Sequence, residues 1–144
     1  MSDRKTVYFC GLDRVGKSTT RKIYSEQSGQ KNITFDRSPI DNLVYDEIVR
    51  GCIHNDVYIE NFINDFFPNS DNYIVFLTIN NEEINKRSEE TEGITYNKEF
   101  LNDTVKCFNK YFKFLKKKVK VIKIKCEKKT PFQIALMVKR KIGD

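Results

Sequence analysis

Gly11-Leu-Asp-Arg-Val-Gly16-Lys17-Ser18 has the types and spacing of G-x-x-x-x-G-K-[ST], a pattern built to hold phosphate. The two glycines permit backbone angles that turn amide hydrogens inward as a nest for oxyanions. A helix starting at Lys17 adds unpaired amides and the positive end of its dipole. Lys17 is placed to neutralise β- and γ-phosphates, and the Ser18 hydroxyl to hold Mg²⁺. Thr6–Cys10 before the loop reads as a buried strand and residues 17–27 after it read as a helix, which is the context this chemistry requires. A glycine-rich turn ahead of a helix, with no ligand, is the alternative.

The second constellation is Asp36-Arg37-Ser-Pro-Ile-Asp-Asn42-Leu-Val-Tyr45, which follows a short strand at residues 33–36. An Asp at a strand end can hold water on Mg²⁺ or take the proton of an attacking group. An Arg there can hold an anionic acceptor and bear charge from the transferring phosphoryl. The alternative is an Asp–Arg surface pair or cap.

The rest of the chain supplies the elements that position these groups. Pro39 opens a helix reaching about Arg50, and Asp56 is a candidate N-cap for a helix closed by Pro68. Tyr73–Ile79 is apolar on both faces, as a central parallel strand must be. A short helix over residues 82–88 precedes a polar stretch, Glu89–Gly93, and the longest helix spans 97–116. Val119–Ile124 is a strand whose lysines at 118, 120, 123 and 125 suit a sheet edge. Thr130-Pro131-Phe132-Gln133 is a capping box opening a final helix. The alternation β-α-β-α-α-β-α-α-β-α predicts an α/β fold of the P-loop NTPase type, in one domain over residues 1–144. A parallel sheet of about four strands carries helices on both faces, and ligands gather at the strands' carboxyl ends.

Bulk properties fit an ordinary soluble protein: 39% hydrophobic and 32% charged residues, with no apolar run near the length of a membrane helix. The four cysteines are scattered and the one histidine, His54, has no partner motif, which argues against a zinc site or disulfide framework. With Met-Ser-Asp-Arg-Lys at the start in place of a signal-peptide pattern, a reduced cytoplasmic setting is expected. The net charge of +6 is uneven: residues 106–141 hold 14 Lys/Arg against one acid, whereas residues 1–105 hold 12 against 18. Solvated lysines on a helix and an edge strand account for this more simply than a nucleic-acid surface does.

The absence of an N-K-x-D tetrapeptide argues against a GTPase, and the size argues against a motor ATPase. Phe9-Cys-Gly-Leu-Asp13-Arg14-Val-Gly-Lys-Ser-Thr-Thr20 resembles the P-loop of the thymidylate kinase family, and the Asp36-Arg37 block is similar to that family's D-R-Y-x-x-S-x-x-A-Y. The resemblance is close at these two motifs and loose over most of the remaining chain. It implies an ATP- and Mg²⁺-dependent nucleoside monophosphate kinase that uses a small-molecule nucleotide acceptor. Nucleotide contacts would come from Gly11, Asp13, Arg14, Val15, Gly16, Lys17, Ser18 and Thr19, with Arg87 starting a lid over ATP. Asp13 would hold the acceptor's 3′-hydroxyl and Arg14 would serve as a built-in arginine finger. Arg37 would clamp the acceptor phosphate, Asn42 would reach the base, and Tyr45 would crowd the 2′ position. Lys17, Arg14, Asp36 and Arg37 form the catalytic set, and Ser18 with Asp36 serves the metal.

Two departures stand out. The chain lacks several dozen family residues early on, which supply a strand, much of a dimer interface, and an aromatic and an arginine that read thymine. Ser38 and Asp41 also replace the motif's Tyr and Ser. Homodimerisation is therefore left open, and a deoxynucleoside monophosphate is better supported than thymidylate itself. Phe66-Phe67 is the first candidate to replace the lost aromatic, although a core role is the simpler expectation. The alternatives are a kinase of a nucleoside or a nucleic-acid 5′-hydroxyl, and a silent nucleotide-binding relative.

Overall fold

Strand β1, Thr6–Gly11, runs into helix α1, Lys17–Gln27, in a computed structural model that describes residues 4–12, 15–68, 71–93, 95–115 and 119–143. The order continues β2 (Ile33–Phe35), α2 (Pro39–Ile48), α3 (Asp56–Phe66), β3 (Asn72–Thr78), α4 (Asn81–Glu92), α5 (Lys98–Phe112), β4 (Val119–Lys125) and α6 (Pro131–Ile142). This is the expected alternation. All three strand pairings are parallel, and the sheet order is β2-β1-β3-β4.

That order dictates where the helices go. The chain steps from β1 to β2 in one direction and then returns across β1 to β3. Right-handed crossovers taken in opposite directions put their helices on opposite faces. Accordingly α1 and α6 pack on one face, around Phe9, Tyr24, Val75, Ala135 and Val138. Helices α2, α3 and α5 pack on the other, around Ile40, Ile63, Ile74, Phe76 and Phe108. Side-chain alternation along β3 divides its residues between these two cores, as the pleat requires. The direction reverses between β1 and β3, so the crevice at their carboxyl ends is where a ligand has room to enter.

Several boundaries differ from expectation. Asn55, not Asp56, caps α3, its Oδ1 accepting from the Tyr58 N–H at 2.9 Å, and Asp56 is the first helical residue. Helix α4 runs through the polar stretch to Glu92, where Gly93 ends it at φ +68°. Glu89 and Glu90 there are exposed helix residues. β4 lies at the sheet edge with Lys120, Lys123 and Lys125 exposed, while Lys118 lies outside the described residues. Thr130 and Gln133 close the capping box of α6, at 3.2 and 2.9 Å. Among the described residues, no helix is long and apolar enough to cross a membrane.

Helices α2 and α5 are tied together by Glu47, whose carboxylate accepts from the Tyr111 hydroxyl at 2.8 Å, the Cys107 thiol at 3.4 Å and the Lys110 ammonium. Burial alone would raise this carboxyl; the three donors outweigh it and hold Glu47 below its ordinary pKa. Burial, then the carboxylate, pushes the Cys107 thiol up to about 12. A depressed carboxyl contributes stability above its unfolded pKa and loses it as pH falls through the folded one. Glu47→Gln is therefore expected to cost about 1–3 kcal/mol at pH 7 in urea unfolding. The gap to wild type should shrink below about pH 4. A gap that does not change with pH would mean the charge contributes nothing.

Candidate functional site: the P-loop and the α2–α5 groove

The phosphate loop begins where β1 touches β3. Gly11 has φ +144°, and a Cβ built on it would stand 2.3 Å from the Leu77 carbonyl oxygen, so glycine is needed both for the angle and for the approach. Gly16 has φ +98° with open space around it, so there the angle alone demands glycine. Gly16 is the N-cap of α1, the Thr20 amide bonds back to its carbonyl at 3.0 Å, and the first turn carries no acidic residue. The helix's positive end is thus left to an anion. Val15 is buried under the loop, and Ser18 and Thr19 are exposed beside it. Lys17 donates to the Gly11 carbonyl oxygen at 2.9 Å. Asp13 and Arg14 lie outside the described residues.

β2 pairs directly with β1, which brings the second motif to the loop. Ser18 Oγ donates to Asp36 Oδ2 at 3.1 Å, joining the two residues expected to serve the metal. The other carboxylate oxygen accepts from Arg21 Nε at 2.5 Å, and Arg21 also reaches the Thr34 hydroxyl at 3.3 Å. Arg21 was not anticipated. Its signal was available: it lies three residues after Ser18, hence on the same face of α1. Mg²⁺ favours a few hard oxygens and shares its remaining positions with water and phosphate. One hydroxyl beside one carboxylate at a phosphate-binding helix end fits that preference. Among the described residues no cluster of three acids, cysteines or histidines offers a protein-only metal cage.

Lys17 and Arg37 open into one groove of about 690 Å³ between α2 and α5. Its α2 wall includes Asp41, Asn42, Tyr45 and Asp46, with Arg50 just past the helix end; its α5 wall includes Phe100, Leu101, Thr104 and Phe108. The substitutions at positions 38 and 41 explain each other. Asp41 Oδ2 accepts from the Ser38 amide at 2.6 Å and the Ser38 hydroxyl at 2.9 Å, making an N-terminal capping box for α2. Burial raises the Asp41 carboxyl; the two bonds from Ser38 and the charges of Lys17 and Arg37 oppose that without cancelling it. Nearby Cys10 is fully buried, and burial lifts its thiol well above the ordinary value, so it is a packed residue and no nucleophile.

Other expectations are redistributed. Neither Phe66 nor Phe67 lines the groove. Phe67 is buried against Tyr8, and Phe66 packs on Phe62. Residues just ahead of β3 stand at its amino end, opposite the site, so they cannot replace an aromatic there. Tyr45 does line the groove, half exposed, with the Arg50 guanidinium 5.3 Å from its ring centroid. Arg87 pairs with Glu83 at 3.1 Å and lines a separate cavity of about 510 Å³, with Asn80, Cys126 and Lys129 among its other walls. His54 is a loop residue, bonded to Asp46 Oδ2 at 3.2 Å and stacked on Tyr58.

No family model matches the chain, and no curated protein matches it in sequence. Its likeness is to solved structures. The YorR protein from Bacillus subtilis, in complex with phosphorylated GDP, superposes with a TM-score of 0.74 at 14% identity over 96% of each chain. Deoxyadenosine kinase from M. mycoides with bound dCTP gives 0.64 at 14% identity, covering 96% of this chain and 100% of the other. Thymidylate kinase from Candida albicans gives 0.62 at 17% identity, covering 97% and 91%. At this level of identity the likeness is one of fold: the chain has the α/β sandwich of thymidylate kinase and its structural neighbours.

Proposed function

We propose that the chain is a nucleoside monophosphate kinase, transferring the γ-phosphoryl group of ATP to an acceptor bound in the α2–α5 groove. The observation that carries this reading is that Lys17, at the donor loop, and Arg37, at the acceptor side, line the same cavity. Two anions that must react with each other can be brought together there. The named relatives of the same fold include a thymidylate kinase, which supports an acceptor of this class.

In this reading the loop amides from Gly11 to Ser18 grip the donor phosphates, and Lys17 leaves the Gly11 carbonyl to lie against the β- and γ-oxygens. Magnesium, when bound with the nucleotide, neutralises charge on the transferring group. Ser18 and Asp36 would hold the metal, and Arg21 fixes the Asp36 carboxylate. Arg37 holds the acceptor phosphate in line, so catalysis comes from positioning and charge complementarity without a covalent intermediate. Arg14 is assigned the transferring phosphoryl and Asp13 the acceptor sugar. Asn42 reaches towards the base and Tyr45 is set against the 2′ position of the sugar. Arg87 and its cavity are assigned to the donor's nucleoside.

A nucleoside acceptor is the second reading. Asp36 favours it, because a carboxylate beside the loop can take a 5′-hydroxyl proton that a monophosphate does not require. One experiment separates the readings: ADP release from ATP and Mg²⁺ against the common nucleoside monophosphates, nucleosides and a 5′-hydroxyl oligonucleotide. Turnover confined to monophosphates is expected. Turnover with nucleosides alone would shift the assignment to Asp36 as base, and ATP binding without any turnover would leave a nucleotide-binding protein.

A further inference from the structure

β2 ends the sheet order, and one side of it pairs with β1 through Thr6, Val7 and Tyr8. The Ile33 amide donates to the Lys5 carbonyl at 2.9 Å, so the backbone polar groups of Ile33 and Phe35 face β1 and those of Thr34 face outward. The sheet's two edges are defended differently. β4 carries exposed Lys120, Lys123 and Lys125, which discourage another strand from pairing there. β2 reads Ile-Thr-Phe, with no charge and no proline, and both apolar residues are open: Ile33 is 42% exposed and Phe35 46%.

These open residues share one face. Phe35 stacks on Tyr8 at 5.2 Å between centroids, and Tyr8 also meets Phe67 edge-on at 5.7 Å, which brings the end of α3 to that face. Phe66, the last residue of α3, is half exposed. Thr34 points to the opposite face, where its hydroxyl accepts from Arg21. The strand is firmly seated: Asn32 Oδ1 accepts from the Lys5 amide at 3.1 Å, and its Nδ2 donates to the Tyr24 hydroxyl at 2.9 Å. A preformed edge loses little entropy when it pairs.

We propose that β2 pairs with β2 of a second copy of this chain, antiparallel about a two-fold axis at Thr34, so that two four-stranded sheets join into one. The strand is self-complementary in this register. Thr34 exchanges both backbone hydrogen bonds with Thr34 of the second copy, and Ile33 of each copy stands opposite Phe35 of the other on one face. An isologous contact of this kind closes into a dimer and goes no further. Half-exposed, a large apolar side chain leaves about 100 Å² open, so Ile33, Phe35 and Phe66 offer about 300 Å² per copy. Two copies then bury about 600 Å² of apolar side chain; with interfaces roughly 60% apolar, the total is about 1,000 Å², the lower bound for a specific complex. Association in the micromolar range follows. The interface is built from β2 and the end of α3 and uses no residue of the loop or groove, so it holds whether or not the chain is a kinase. Antiparallel pairing sends the two carboxyl ends of β2, and the Asp36–Arg37 motifs that follow them, away from each other, which leaves both grooves open.

Sedimentation equilibrium of the full chain across the micromolar range tests this. The mass is expected to rise with concentration from 17.0 kDa towards twice that value. Ile33→Lys gives β2 the kind of charge that β4 carries, and Thr34→Pro removes the outward N–H without touching a bond to β1. Each should weaken association at least about tenfold, whereas Lys123→Glu on the other edge should not. Melting temperature, measured at a dilution where wild type is monomeric, is the folding control. Cross-linking tests the register, because paired Thr34 Cα atoms would be about 5.5 Å apart, within disulfide reach. With the exposed thiol removed by Cys52→Ser, Thr34→Cys should form a covalent dimer in oxidised glutathione and Lys123→Cys should not. A chain that stays monomeric across the range overturns the proposal. So does a dimer that neither Ile33→Lys nor Thr34→Pro weakens, since the copies then meet elsewhere. A dimer weakened by both but not cross-linked through Thr34→Cys supports the edge and overturns the register centred on Thr34.

Discussion

Lys17→Ala is expected to lower the rate of phosphoryl transfer about a thousandfold, roughly 4 kcal/mol of transition-state stabilisation, while the protein stays folded. The separation of activity from stability follows from where the side chain rests. It donates to the Gly11 carbonyl, at 2.9 Å, from a half-buried position in the first turn of α1. Losing such a bond costs about 0.5–1.5 kcal/mol of stability, and alanine recovers part of it through its helix propensity. Against phosphate the same ammonium faces concentrated negative charge at a helix N-terminus, where its contribution is several-fold larger. Lys17→Arg should not restore the rate, because the wider planar guanidinium cannot replace a point charge inside a closed nest. The measurements are kcat with a saturating acceptor, ATP affinity, and thermal melting of all three proteins. Wild-type turnover in Lys17→Ala would remove the loop from the chemistry altogether. A collapsed melting temperature would mean the lysine is structural.

The loop and the order of elements were legible because both are written locally. A strand, two glycines, a lysine and a helix follow each other within a few residues, and hydrophobic period distinguishes strand from helix along the rest of the chain. What was not legible depends on distances in space. Phe66 and Phe67 precede the central strand in sequence, which suggested nearness to the site; topology places them at the strand's other end. Glu47 meets Tyr111 across 64 residues, a pairing no local pattern announces. Tyr96 and Phe100 reach the groove because the β3–β4 crossover runs in the same direction as the return from β2 to β3, which puts α5 on the same face as α2. Arg21 is the instructive middle case, since its spacing from Ser18 was readable but nothing in the sequence said that Asp36 would be its partner. The Ser38 and Asp41 departures read as doubt about the motif, whereas in three dimensions they are a matched cap that starts the helix bearing Asn42 and Tyr45.

Removing the other groove cation should give a different kinetic signature. Arg37→Ala is expected to raise the acceptor KM by about ten- to a hundredfold, with the ATP KM changed less than about threefold. The expectation comes from position. Arg37 is exposed in the groove, immediately after Asp36, which bonds Ser18 of the loop, and its charge reaches the half-buried Asp41 near Lys17. A guanidinium there meets an acceptor phosphate before transfer as well as during it, so the loss falls mainly on binding. A fall in kcat with an unchanged acceptor KM would instead place Arg37 on the transferring group, the role now given to Arg14. Arg37→Lys separates these further: a single charge can still hold a phosphate but cannot make the paired, planar contact, so partial recovery of KM is expected. The same variant tests the nucleoside alternative, because an acceptor without a phosphate has nothing for Arg37 to hold. If Arg37→Ala leaves transfer to a nucleoside untouched while abolishing it for the monophosphate, the charge at position 37 is what makes this groove a monophosphate site.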